Sequence, residues 1–243
     1  MIAVEAKGLV KKYKTKTAVD DLDLSIEEGE LFALLGVNGA GKTTTIRMLC
    51  CLSAPTSGEG SICGKNVLTE QSAVKRLIGI SPQDTAVADK LTVRENLDFM
   101  AGIQGIKGEK KQDAVNKMIS TFKMEECADQ KASSLSGGWK RKLSIAMALI
   151  GEPKVLFLDE PTLGLDVLAR RDLWKVIDAL KGSITVILTT HYMEEAEALA
   201  DRIAVMVSGR LRAVGTLDEL ESLTGQKGLE NVFVSIAEGG ADV

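Results

Sequence analysis

The richest chemistry in this chain lies in Gly36-Val37-Asn38-Gly39-Ala40-Gly41-Lys42-Thr43-Thr44. These residues follow the apolar run Leu31-Phe32-Ala33-Leu34-Leu35 and precede Ile46-Arg47-Met48-Leu49, which has helical spacing. Strand, glycine loop and helix in that order are the context in which G-x-x-x-x-G-K-[ST] cradles phosphate. Gly36, Gly39 and Gly41 admit backbone dihedrals that side chains forbid. Successive N–H groups from Asn38 through Gly39, Ala40 and Gly41 to Thr44 can then turn onto phosphate oxygens. A helix starting near Lys42 adds the positive end of its dipole. Lys42 is placed to reach the β- and γ-phosphates of a nucleotide, and the Thr43 hydroxyl to hold Mg²⁺.

Two further segments carry chemistry. In Phe157-Leu158-Asp159-Glu160-Pro161, the apolar run puts Asp159 at the C-terminal end of a buried strand, where open α/β sheets place their ligands. Asp159 there can hold Mg²⁺ through water. Glu160, next along, points to where an attacking water would sit. Leu135-Ser136-Gly137-Gly138 immediately precedes a helical pattern, so Ser136 and the amides of Gly137 and Gly138 form a second anion-binding helix start.

The elements that position these groups are legible from periodicity. Leu22, Leu24 and Ile26 alternate with Asp21, Asp23 and Ser25, a half-buried strand in an opening two-stranded hairpin. Glu28-Gly29 turns the chain into the buried strand at Leu31–Leu35. Ile78-Gly79-Ile80-Ser81, Val155–Asp159 and Ile184–Thr189 read as further short strands, the last two buried on both faces as in parallel sheets. Between them the texture is helical. Thr92-Val93-Arg94-Glu95 is a capping box, and helices are predicted to about Gly102, over about Glu109–Met124, and after Gly138. Ile203–Val207 and Leu211–Val214 form a closing pair around Ser208-Gly209, and a second capping box, Thr216–Glu219, opens a short helix. After Gly225 the chain is weakly patterned.

Composition narrows the classes. The 243 residues are enough to bury about 70–75% of their unfolded surface. A net charge of −4 gives no field for gathering nucleic acid, and Lys140-Arg141-Lys142 reads as a solvated helix face. Four cysteines without a C-x-x-C pair, together with one histidine, exclude the usual zinc arrangements and suit a reducing compartment. Cys50 and Cys51 read as packing residues of the helix after the phosphate loop. The start Met1-Ile2-Ala3-Val4-Glu5 lacks the layout of an export leader. No apolar run approaches the ~18 residues of a membrane span. The expectation is a cytoplasmic chain whose membrane role runs through a partner.

With these residues in order, the sequence resembles the ATP-binding subunits of ABC transporters. The resemblance rests on Gly36–Thr44, Gln83 after Ser81-Pro82, Leu135–Gly138, Leu158–Pro161, Gly164-Leu165-Asp166 and His191, and covers about residues 2–220. It implies an α/β fold of the P-loop NTPase kind. That fold has a RecA-like core sheet, an N-terminal antiparallel β subdomain and an α-helical subdomain inserted at about 84–150; a short tail follows over 221–243. It assigns Tyr13 to stacking on adenine and Gln83 to linking Mg²⁺ and the attacking water with the surface facing a membrane subunit. It also assigns Asp166 to coupling two sites and His191 to contacting the γ-phosphate. Ser136 and Gly138 would complete the site of a second copy, so that two chains sandwich two ATP molecules. The partners implied are that second copy and an integral membrane permease, the chain lying peripherally on the inner face of the membrane. The segments Thr190–Glu197, Asp166–Trp174 and Leu229–Phe233 look like exporter ATPases for antibiotics, drugs, sodium or lipids. The rival reading is a soluble ABC ATPase in cofactor assembly; co-purification with membranes only beside a helical partner separates the two. Two positions depart from the common pattern, Trp139 in place of glutamine and Leu163 in place of serine. The expected consequence is altered packing rather than lost catalysis.

Overall fold

The computed structural model describes residues 1–239; residues 240–243, the end of the predicted tail, lie outside the described residues. Strands β1 (Ile2–Tyr13) and β2 (Lys16–Glu27) form the opening antiparallel hairpin. Leu22, Leu24 and Ile26 are buried while Asp21, Asp23 and Ser25 are exposed, as the alternation predicts. β3 (Leu31–Leu35) is buried throughout and feeds the glycine loop and helix α1 (Lys42–Leu49). Cys50 caps α1, and Cys51 lies just beyond it in a left-handed conformation, so the two thiols follow the helix rather than belong to it. β4 (Ser57–Ile62), β5 (Lys65–Asn66) and α2 (Gln71–Leu77) come next. Their glycine- and serine-rich sequence gives little periodic signal. β4 adds to β1 and β5 to β4, completing a four-stranded sheet in the order β2-β1-β4-β5.

β6 (Ile78–Ser81) leads to the helical stretch. The capping box at Thr92 and Glu95 is formed and starts α3 (Val93–Ile103). α4 (Glu109–Thr121) ends before Met124, where Lys123 at a φ of 55° breaks the helix; two 3-10 turns follow. α5 (Gly137–Leu149) then returns to the sheet. β7 (Val155–Asp159), α6 (Val167–Asp178), β8 (Thr185–Thr190), α7 (Met193–Leu199), β9 (Arg202–Val207), β10 (Arg210–Gly215) and α8 (Leu217–Thr224) complete the regular part.

The second sheet has six strands in the order β10-β9-β3-β8-β7-β6. Its pairs are parallel except β9 with β10. Strict alternation divides its side chains between two cores. Leu31, Ala33, Leu35, Leu156, Leu158, Val186 and Leu188 face the core shared with the helical stretch. Phe32, Leu34, Val155, Phe157 and Ile187 face the core shared with the four-stranded sheet. Each fully buried side chain of this size contributes about 1.5–3 kcal/mol, so the sheet is the rigid platform on which loop geometry rests. The chain after Gly225 departs from its weak reading. Leu229, Val232, Phe233 and Ile236 bury one face of α9 (Leu229–Ala237) against α7, α8 and β9.

Candidate active site

The C-terminal ends of β3, β7 and β8 open on one cleft of about 480 Å³. It is lined by Tyr13, Asn38 through Thr44, Gln83, Glu160 and His191, so most of the predicted site residues converge there. The glycine loop is held by close packing. A Cβ on Gly36 would lie 2.5 Å from the Met206 carbonyl oxygen, and one on Gly41 would lie 2.5 Å from that of Ala18. Gly41 also sits at a φ of 111°, where side chains are strained. It starts α1 without a side-chain cap, so the first amides of the helix have no side-chain acceptor there.

Lys42 is almost fully buried. Its Nζ donates to the carbonyls of Gly36 at 2.6 Å and Val37 at 3.3 Å and lies 3.4 Å from Glu160 Oε1. Burial pulls its pKa below the usual lysine value, and the charges of Glu160 and Asp159 oppose that shift. Asp159, at the end of β7, accepts from Thr43 Oγ1 at 3.0 Å and from Thr189 Oγ1 at 2.6 Å. Thr189 is therefore the anchor of the pair. Its backbone carbonyl and hydroxyl oxygens also accept from the Glu160 N–H at 3.1 and 3.0 Å. Those bonds hold Glu160 at a φ of 46°, a left-handed conformation costly for a non-glycine residue. His191 Nδ1 lies 3.0 Å from Glu160 Oε2 but out of line for a hydrogen bond. Glu160 is thus poised between an ammonium and an imidazole.

Gln83 reaches the cleft from the loop after β6. Its position is fixed by Arg141, whose guanidinium donates to the carbonyls of Pro82 and Gln83, each at 2.6 Å. Arg141 is only 4% exposed, which overturns the reading of its basic run as a solvated face. Tertiary demand for a rigid two-pronged donor placed this charge inside. Ser81 and Ser144 hydroxyls, 2.8 Å apart, add a second tie between β6 and α5.

Ser136, Gly137 and Gly138 stand elsewhere. None of them lines the cleft, and Ser136 and Gly137 are exposed. Ser136 caps α5 with a long 3.5 Å bond from the Trp139 N–H. The segment abuts the first turn of α6, where a Cβ on Gly138 would lie 3.2 Å from that of Ala169. Asp166 caps α6, accepting from the Leu168 and Ala169 amides at 2.9 Å. Beside it Val167 and Leu168 are largely exposed. Trp139 is partly buried, with Lys142 Nζ 4.6 Å above its ring, so it is a packing residue here.

Sequence reasoning did not pick out Lys16, Ala18 and Leu163 as cleft-lining residues, nor Thr189 as a ligand of both carboxylate positions. Thr189 carried a usable signal, a hydroxyl at the ligand-facing end of a buried strand level with Asp159. For Lys16 no local pattern exists, because the β1–β2 turn brings it in from a different sheet.

The comparisons agree with this geometry. The family model described as ABC transporter matches residues 19–163. The daunorubicin/doxorubicin resistance ATP-binding protein DrrA of Streptomyces peucetius is 42% identical over 92% of this chain and 68% of that protein. ATP-binding cassette sub-family A member 2 of Rattus norvegicus is 42% identical over 99% of this chain, which spans only 10% of that much longer protein. Among solved structures, an ATP-binding subunit of an ABC transporter superposes with a TM-score of 0.86 at 29% identity, covering 96% of this chain and 99% of that one. A dimeric ATP-binding cassette in a post-hydrolysis state with ADP and Pi gives 0.79 at 26% identity, covering 88% and 98%. A parallel sheet ending in this cleft, with both motif carboxylates and the glycine loop in place, places the chain in the ABC transporter family as an ATP-binding domain that hydrolyses ATP.

Proposed function

We propose that two copies of this chain close around two ATP molecules, and that hydrolysis drives export through a separate membrane-spanning permease. The observation that carries the dimer is the separation of the two anion-binding glycine segments. Asn38–Thr44 line the cleft, whereas Ser136–Gly138 lie outside it, Ser136 and Gly137 exposed like Asp166, Val167 and Leu168, with Gly137 beside Leu165 and Gly138 beside Ala169. A phosphate-binding helix start with nothing of its own chain to bind is accounted for by a mate whose cleft it completes, twice over by symmetry. The dimeric relative with ADP and Pi supports that arrangement.

In this reading Tyr13, half exposed at the rim, stacks on adenine. The amides from Asn38 to Thr44 hold the phosphates, and Lys42 and His191 contact the γ-phosphate. Glu160 orients and deprotonates the water, which attacks phosphorus in line as the bond to the bridging oxygen breaks and ADP leaves. Ser136 and Gly138 of the mate stabilise the charge that develops on the γ-oxygens. Thr43 Oγ1 and Asp159 Oδ1, 3.0 Å apart, are hard oxygen donors that fit Mg²⁺, with Gln83 lining the same cleft. Bound there, the ion would neutralise charge between the β- and γ-phosphates.

Ser136→Arg tests the shared site. A bulky cation at the patch should leave ATP affinity of the separate chain unchanged and lower phosphate release by about 10²-fold. Unchanged turnover would show that the patch takes no part.

The permease surface is read beside Gln83. A groove of about 300 Å³ runs between β6 and α3, lined by Leu52, Ile80, Met100 and Met147. Phe99 and Ile103 stand 58% and 61% exposed one helical turn apart on α3. Exposed apolar side chains grouped beside a groove mark interaction sites. No helix among the described residues is long and apolar enough to cross a membrane, so anchoring to the inner face would come from the partner. Phe99→Asp should release the chain from vesicles carrying its permease, read by flotation, while the hydrolysis rate of the free chain stays within about twofold. Retention on those vesicles would place the contact elsewhere. The exporting direction rests on likeness to DrrA, a resistance ATP-binding protein.

A further inference from the structure

Behind the cleft, between α6 and α7, lies a buried polar cluster that the hydrolysis reaction does not use. Glu195 of α7 is 0% exposed. Its Oε1 accepts from the Trp174 indole of α6 at 3.1 Å. Burial pushes its carboxyl above the usual carboxylate range, while Thr190, Thr162, Trp174 and Arg170 all favour its charged form. Glu195 Oε2 and Thr162 Oγ1 approach one another without the alignment of a good hydrogen bond, and Arg170 Nε, buried beside them, has no hydrogen-bond partner among the described residues. Arg170 also stacks on Tyr192, with its guanidinium carbon 4.6 Å from the ring centroid, and the Tyr192 ring lies 4.2 Å from that of His191. Buried unpaired groups are rare enough to require a cause.

The neighbours of this cluster supply one. α6 begins at Asp166, on the exposed patch beside Ser136. Thr162 sits in the turn after Glu160, Thr190 ends β8, and α7 starts at Met193, with Tyr192 as its N-cap residue after His191. Glu195 is therefore a fully buried carboxylate touching both the helix that leaves the dimer patch and the segment that carries His191, while its exposed neighbour Glu194 reaches the same helix only through Arg170 at 3.9 Å. The loosely aligned Glu195 Oε2 and Thr162 hydroxyl, with the unpartnered Arg170 Nε–H, provide the acceptor and donors for a second, better-aligned hydrogen-bond arrangement of the same groups.

We propose that Glu195 is a positioning residue for hydrolysis, a joint through which the Asp166 helix and the His191 segment shift together when the second copy closes on the cleft. The proposal rests on the two-copy reading of the site given above. It predicts a defect in the catalytic step rather than in nucleotide binding, because Glu195 does not line the cleft.

The test compares Glu195→Ala, Glu195→Gln, Trp174→Phe and Asp166→Ala in steady-state hydrolysis and in equilibrium binding of ATP. Glu195→Ala is expected to lower kcat about tenfold with the ATP dissociation constant within about twofold of the parent. Glu195→Gln, which keeps an acceptor for the indole and gains an N–H for Thr162, recovers most of that loss. Trp174→Phe keeps the packing and removes only the indole donor, so it remains informative if the alanine variant folds poorly; it lowers kcat about threefold. Combined with Asp166→Ala, the Glu195→Ala loss is not multiplied, since both break one unit. Unchanged kcat in Glu195→Ala and Trp174→Phe beside a slow Asp166→Ala would overturn the joint and leave the two-copy site standing. Multiplicative losses would do the same. A silent Asp166→Ala would overturn the two-copy role of Asp166 and the joint with it.

Discussion

Lys42→Ala is expected to abolish ATP binding and with it hydrolysis, lowering turnover by at least about 10²–10³-fold. The ammonium is the one cation held within reach of both Glu160 and Asp159 in the described cleft, 3.4 Å from the former. Its position is dictated by the loop itself, through the Gly36 and Val37 carbonyls. Removing it deletes the charge proposed to meet the β- and γ-phosphates and would leave two neighbouring carboxylates facing a polyanion. Losing one partner of a buried pair costs about 3–5 kcal/mol, so a lowered thermal midpoint should accompany the lost binding. Equilibrium titration with a fluorescent ATP analogue checks it; affinity within tenfold of the parent would remove Lys42 from the phosphate site.

Glu160→Gln has the opposite signature. Hydrolysis is expected to fall by about 10²–10⁴-fold, because the change removes the proposed base. ATP affinity is retained or raised, for two reasons visible in the cleft. The substitution removes a negative charge next to the expected γ-phosphate, and it frees Lys42 from its ion pair. The amide keeps the shape of the side chain, and the two Thr189 bonds that hold the residue at a positive φ are donated by its backbone N–H, which the change does not touch. Single-turnover hydrolysis beside ATP binding separates the two effects. Turnover equal to the parent would move the base elsewhere, and His191, 3.0 Å away, would be the first alternative.

What was legible in the chain divides along physical lines. The phosphate loop, the Asp159 strand and both capping boxes could be read because each is local: its residues are consecutive, and backbone geometry follows from their types. Glu160 and His191 were readable as strand-end residues, but not their 3.0 Å approach, which depends on β7 and β8 pairing in register at Asp159 and Thr189. Arg141 was misread because a basic triplet looks solvated; only the packing of α5 beside β6 shows that its middle member is buried and faces the Pro82 and Gln83 carbonyls. α9 carried apolar residues at 229, 232, 233 and 236, a helical period in full view, yet a start at Gly228 without a side-chain cap gave no boundary. The Glu195 cluster had no sequence signal, since Trp174 and Glu195 meet only once two helices dock across the strand between them.

The central claim is that the cleft of one copy is completed by Ser136 and Gly138 of another. Light scattering of Glu160→Gln with MgATP, alone and with Ser136→Arg added on the same chain, tests it most directly. The account predicts a particle of twice the 26.0 kDa chain mass for Glu160→Gln, and a monomer for the double variant with ATP still bound. A Glu160→Gln chain that stays monomeric when saturated with ATP, or a double variant that dimerises equally well, would contradict it.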